Sequence, residues 1–132
     1  NAYDHIYGFG IGFDMTRRDL QGVCKKMGRP WEIGKAFERS APMGKITPIS
    51  EVGNMEKGNI KLSVNGVTRQ NGDLDMMIWK IPEQIAHLSK YYDISAGDLI
   101  MTGTPAGVGP IIKGDKLIGT IDNLETLEIV VI

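Results

Sequence analysis

The sequence predicts a single β-rich α+β domain with two short helices. Three observations predict it. Ile60, Leu62 and Val64 alternate with polar residues and run into Asn65-Gly66, a strong two-residue hairpin signal. Helical spacing replaces strand spacing in only two places, after Thr16 and after Ile81. Near the C-terminus, Lys113-Gly114-Asp115 and Asp122-Asn123 mark turns that bound two further short strands.

In chain order, residues 6–13 read as a buried strand rich in Gly, Ile and Phe. Thr16 is the expected N-cap of a helix from Arg17 to Met27, with Gly28 as its stop and Pro30 beyond. Residues 31–50, with Trp31, Pro42 and Pro48, read as an extended, irregular excursion. Residues 59–65 form a half-buried strand, Val67–Gln70 its return, and Asn71-Gly72 a further turn. The second helix spans Ile81–Tyr92, with Pro82 in its first turn and an apolar stripe of Ile81, Ile85, Leu88 and Tyr92. Asp98–Thr102 reads as a strand and Gly103–Pro110 as a loop. Lys116–Ile121 and Thr126–Ile132 are the final strands. No repeat or low-complexity tract divides the chain.

Composition bounds the function. The chain has 132 residues, 42% hydrophobic and 23% charged, ordinary values for a globular domain with a real core. A net charge of −1 gives no field that would draw nucleic acid or an acidic membrane surface. No apolar run approaches the roughly 20 residues of a membrane helix. Cys24 is the only cysteine, so no internal disulfide forms and a reducing cytoplasm is the expected location. It reads as a small helix residue. The chain starts at Asn1 without Met, and reads as the C-terminal part of something longer or as the ordered remainder after a disordered stretch.

Three segments carry candidate chemistry. In the first, Asp14 to Gln21, a carboxylate at a strand end is followed by Arg18 and Gln21 on the first helical turns. An oxygen ligand for a hard cation, a guanidinium and an amide then face one pocket that suits a small oxyanionic substrate. The competing reading has Asp14 capping the helix and Arg18 pairing with Asp14 or Asp19. The second is Lys35, set among apolar neighbours in Trp31 to Phe37, where its cation could stabilise an enolate or oxyanion; the alternative is a solvated strand lysine. The third is Thr102 to Gly109, whose glycines let backbone approach a ligand and whose hydroxyls and amides can take a carboxylate; the alternative is a tight connection. It lacks the Gly-Lys-Ser/Thr ending of a nucleotide loop. His87 and His5 receive no catalytic role, and Asp73 and Asp75 read as turn caps. Met55, Met76 and Met77 read as packing residues.

Taken together and in this order, these segments resemble the fumarylacetoacetate hydrolase family over essentially all 132 residues. Gly28 to Trp31, Ser40 to Pro42, Arg69 to Leu74 and Met77 to Lys80 add to the likeness, which is greatest to acylpyruvases. The resemblance implies a β-roll catalytic domain of which residues 1–132 are the C-terminal part, homodimeric, with Mg²⁺ or Mn²⁺ (Ca²⁺ as a further option) in the site. By that likeness Asp14 is a metal ligand, and Arg18, Gln21, Lys35, Gly103 and Thr104 hold the substrate. Two glutamates spaced Glu-x-Glu and a lid carrying a His–Glu pair should precede this segment; Glu51, Glu56 and Glu83 are not at matching positions. The implied reaction is hydrolysis of the C–C bond of a 2,4-dioxo acid such as fumarylpyruvate, in aromatic-compound breakdown. The metal acts as a Lewis acid there, and Lys35 shares the enolate charge. Hydratase, decarboxylase or isomerase chemistry on a 2-oxo acid is the enzymatic alternative, and a non-catalytic domain the other.

Overall fold

The computed structural model describes residues 1–132. Its centre is a four-stranded antiparallel sheet in the order β4-β3-β5-β6, made of β3 (Asn59–Val64), β4 (Val67–Asp73), β5 (Lys116–Ile121) and β6 (Leu127–Val130). The hairpin joining β3 and β4 forms at Asn65-Gly66, where both φ angles are positive, 51° and 80°. Those angles belong to the tight turn whose twist matches the flanking strands. The turns at 113–115 and 122–123 also form, with Gly114 and Asn123 at positive φ. The β-rich α+β class expected from the sequence is therefore borne out.

One sheet face carries the core. Phe13, Val64 and Leu117 are buried together, with Met15, Leu62, Ile111, Leu127, Ile129 and Val131 packed around them. Alternation explains the choice: Leu62 and Val64 of β3, and Leu117 of β5, fall on the same side of the pleat.

The turn expected at Asn71-Gly72 does not form; β4 continues through it to Asp73, opposite Asn59. The Asn59 side-chain amide donates to Asn71 Oδ1 at 2.8 Å and to the Gly72 carbonyl at 3.0 Å, which holds the ladder together. The strand expected over residues 6–13 shrinks to β1 (Gly8–Phe9), paired with β2 (Thr47–Pro48), plus a bridge from Gly12 to Met43. Its partner segment contains Pro42 and Pro48, which have no amide to donate, so the ladder is interrupted. Isolated bonds still tie the two runs, Phe13 N–H to the Pro42 carbonyl at 3.0 Å and Met15 N–H to the Ser40 carbonyl at 2.9 Å.

Helix α1 spans Arg18–Lys26, and the stretch read as irregular holds two single-turn helices, α2 (Glu32–Lys35) and α3 (Ile49–Val52). Helix α4 covers Ile81–Leu88, and Tyr92, expected on its stripe, lies beyond it and is exposed. Asp98–Thr102 is not a strand. Its polar groups bond locally or to α4 instead: Asp98 accepts from Ser95 N–H at 2.8 Å, and the Thr102 carbonyl accepts from Gln84 at 3.2 Å. His87 stacks edge-on against Trp79, with centroids 5.0 Å apart, in keeping with a structural role. No helix is long and apolar enough to cross a membrane.

The turn before β5 gives a first testable consequence. Asp115 accepts from Ile112 N–H at 2.9 Å and from the Asn65 side-chain amide at 2.7 Å, so it fastens the hairpin turn to β5. The Ile112 amide, and next the Asn65 amide, hold its carboxyl below the usual carboxylate range. A depressed folded-state pKa favours the folded chain above the unfolded value, near pH ~4, and that contribution fades as pH falls through the folded value. Asp115→Asn should therefore flatten the loss of stability as pH falls below about 4. Urea unfolding across that range measures it, and a slope equal to wild type refutes it.

Candidate active site

The site is built where residues 13–18 leave the sheet and enter α1. Asp14 and Thr16 sit on the extended side of that junction and Arg18 on the helical side. Helix α2 packs against α1, with the Arg17 N–H donating to the Gly34 carbonyl at 3.0 Å. A Cβ on Gly34 would lie 3.0 Å from the Gln21 amide nitrogen and 3.2 Å from the Arg17 carbonyl oxygen. Glycine there lets α2 come close enough for Lys35, its last residue, to reach across.

Lys35 Nζ donates to both Asp14 carboxylate oxygens, at 2.8 and 2.7 Å, and to Thr16 Oγ1 at 2.9 Å. The two side chains are 33% and 40% exposed, so solvent and small ligands reach the pair. Lys35 is thus neither a strand lysine nor free in solvent. Thr16 is not the helix cap that was expected; Arg17 takes the N-cap position without a side-chain bond. The Thr16 hydroxyl is committed to Lys35, which removes it from the amides of the first turn.

Arg18 Nη1 donates to Gln21 Oε1 at 2.8 Å. No ion pair joins Arg18 to Asp14 or Asp19; the four ion pairs of the chain lie elsewhere. Gln21 is only 9% exposed, so its amide acts as a fixed support that aims the guanidinium.

The 102–109 loop forms the facing wall. Gln70, 9% exposed in the middle of β4, donates from Nε2 to the Pro105 carbonyl at 2.7 Å. Gln84 of α4 holds the Thr102 carbonyl. Gly107 packs so closely that a Cβ there would fall 2.1 Å from the Arg69 carbonyl oxygen, and its φ is +100°. Both constraints demand glycine.

An open cavity of about 1270 Å³ lies between these parts, and Asp14, Thr16, Arg18, Gly103 and Thr104 all line it. Lys35 reaches it through Asp14 and Thr16; Gln21 stands behind Arg18. No hydrogen bond links Thr104 to the Asp14 cluster, so the two walls meet only across this space. Neither histidine lines it. Sequence reading missed three residues that shape the site: Thr16, Gln70 and Gln84. Gln70 had a signal, since a polar residue on the core-facing side of a strand needs a buried partner.

The donor set bears on the metal. A hard divalent cation takes oxygen ligands, and the Asp14 carboxylate fits as one of them. The chain holds no group of three or more His, Cys, Asp or Glu residues that could bind a metal ion by itself. Asp14 is suited to serve as one oxygen ligand of such a cation, and residues 1–132 bring no cluster of further ligands to it.

Comparison with known proteins identifies the family. The family model for the fumarylacetoacetate (FAA) hydrolase C-terminal matches residues 1–132. A fumarylpyruvate hydrolase of Ralstonia is 46% identical over 98% of the chain, which spans 67% of that protein. An oxaloacetate tautomerase of Escherichia coli is 47% identical over 89% of the chain, with 54% of its own length covered. The crystal structure of a Pseudomonas aeruginosa fumarylpyruvate hydrolase in complex with Mn²⁺ and pyruvate superposes with a TM-score of 0.97 at 47% identity. It covers 99% of this chain and 56% of that one. The chain thus spans between about half and two thirds of the length of these relatives. On this evidence the chain is a member of the fumarylacetoacetate hydrolase C-terminal family.

Proposed function

We propose that the chain forms the substrate-holding part of a metal-dependent acylpyruvate hydrolase that cleaves fumarylpyruvate to fumarate and pyruvate. The observation that carries this reading is the Lys35 ammonium held by Asp14 and Thr16, both of which line one open cavity together with Arg18, itself bonded to Gln21. The relatives named fumarylpyruvate hydrolase support the choice of substrate.

In this reading a divalent cation, Mg²⁺ or Mn²⁺, bound with Asp14 as one ligand, supplies Lewis-acid polarisation of the 2-oxo acid end. The chain's own residues do the rest. Arg18, aimed by Gln21, and the Gly103–Thr104 wall hold the substrate's oxo and carboxylate oxygens. Water adds to the acyl carbonyl carbon, the adjacent C–C bond breaks, and its electron pair passes into a pyruvate enolate that is then protonated. Lys35 faces that developing charge, the kind of fixed cation that lowers such barriers most. The homodimer and the cytoplasmic setting implied by the family likeness belong to the same proposal.

A second reading has a specific observation behind it: the E. coli relative of similar identity is an oxaloacetate tautomerase. Moving a proton through an enolate uses the same Lys35 cation without breaking a C–C bond. The test is the loss of fumarylpyruvate absorbance by full-length protein, with Mg²⁺ or Mn²⁺, after chelation, and with Asp14→Ala. Metal-dependent loss that Asp14→Ala abolishes is the expected result. Fast oxaloacetate enol–keto exchange with no fumarylpyruvate cleavage would hand the function to the second reading.

A further inference from the structure

Besides Arg18, three cations on the cavity wall, Arg17, Arg39 and Lys61, belong to none of the chain's ion pairs, and of these Arg17 alone is held against an aromatic ring. Arg17 lines the same space as Asp14, Arg18 and Thr104, yet none of the chain's four ion pairs includes it. Its guanidinium carbon sits 4.4 Å above the centre of the Phe37 ring. Arg18 next to it turns instead to Gln21. Two consecutive arginines therefore point to different supports, one polar and one aromatic.

We propose that Arg17, braced on Phe37, binds the second carboxylate of a dicarboxylic substrate, at its acyl end, and so selects acylpyruvates that carry one. The inference rests on the hydrolase reading above and deepens it by naming the residue that selects the substrate.

Three physical points carry it. Stacking uses the face of the guanidinium and leaves the N–H groups of its edge free, the geometry that takes a carboxylate bidentately. The Phe37 contact removes part of the rotamer freedom of a long side chain before any ligand arrives, so less is lost on binding. The backbone is fixed as well, with Arg17 N–H on the Gly34 carbonyl and the Arg17 carbonyl accepting from Gln21 N–H, both at 3.0 Å. The cavity also brings the two ends of the site together: Arg17 and Phe37 line it with Asp14 and Thr16, the partners of Lys35. Arg17 is thus a specificity residue: a substrate lacking the second carboxylate would leave it idle.

The test reads binding rather than turnover. Fumarate, the acyl product, keeps the second carboxylate; crotonate has the same carbon skeleton with a methyl group in its place. Calorimetric titration of full-length protein should show Arg17→Met weakening fumarate binding about tenfold or more, as loss of a charge-assisted pair predicts. Crotonate binding should stay as in wild type. Arg17→Lys should fall between, since it keeps the charge but not the fork, and Phe37→Leu should shift fumarate in the same direction by less. Equal losses for both ligands, no change for either, or no fumarate binding by wild type overturns the proposal. Failure of the hydrolase reading shows separately, as absent cleavage of fumarylpyruvate beside intact Arg17-dependent fumarate binding.

Discussion

Lys35→Met should lower kcat for fumarylpyruvate by about 10²–10³-fold, the effect of removing one preorganised donor from a developing oxyanion, roughly 3–4 kcal/mol. The expectation follows from placement. Lys35 is the cation fixed by three hydrogen bonds at this site, and its partners Asp14 and Thr16 both line the cavity. Methionine keeps much of the side-chain length and deletes the charge. The fold should survive, because the Lys35–Asp14 pair is a third or more exposed on both sides and such pairs contribute about 1 kcal/mol or less. Single-turnover kinetics at saturating Mn²⁺, beside a thermal melt, separates two roles. A cation that only neutralised Asp14 would be replaced by excess metal and kcat would recover. A cation that meets the enolate would not be replaced, and the loss would persist. A kcat near wild type at every metal concentration removes Lys35 from the chemistry.

Gly107→Val should be the most damaging single change in the 102–109 loop. Its φ of +100° is strained for any L side chain, and the added Cβ would overlap the Arg69 carbonyl oxygen. Strain of this kind costs about 1–3 kcal/mol before the clash is counted, and a β-branched side chain fits such backbone least. The loop must then lift from β4, breaking the 2.7 Å bond from Gln70 to the Pro105 carbonyl and stranding a buried amide. We expect a Tm lower by on the order of 10 °C and a raised KM, since Thr104 moves with the loop. Calorimetry and steady-state kinetics measure the two effects. A melt unchanged from wild type means that the loop does not depend on this contact.

What was legible in the sequence was local. The hairpin at Asn65-Gly66 follows from two residues able to take positive φ between alternating strands. The end of α1 near Gly28 follows from helix-stop chemistry, and the segments bearing Asp14, Lys35 and Thr104 stood out as short motifs. Misreadings came where a long-range partner overrode local preference. Asn71-Gly72 carries a turn signal, but cross-strand bonds from Asn59 keep it in β4. Residues 6–13 have a strand pattern, but their prolines-containing partner cannot complete a ladder. Thr16 has the chemistry of an N-cap, but an ammonium from nineteen residues away claims its hydroxyl.

The sequence by itself determined which groups the site has to work with: one carboxylate at a strand end, an arginine and a glutamine one helical turn apart, a lysine and a glycine-rich loop. Beyond the local Arg18–Gln21 pair, tertiary structure decided how they are used: it set Lys35 on Asp14, turned Arg17 to Phe37, and brought the loop to the opposite wall. The physical reason is close approach. Gly34 lets α2 touch α1 and Gly107 lets the loop touch β4, and neither contact is encoded within the few residues over which sequence patterns act.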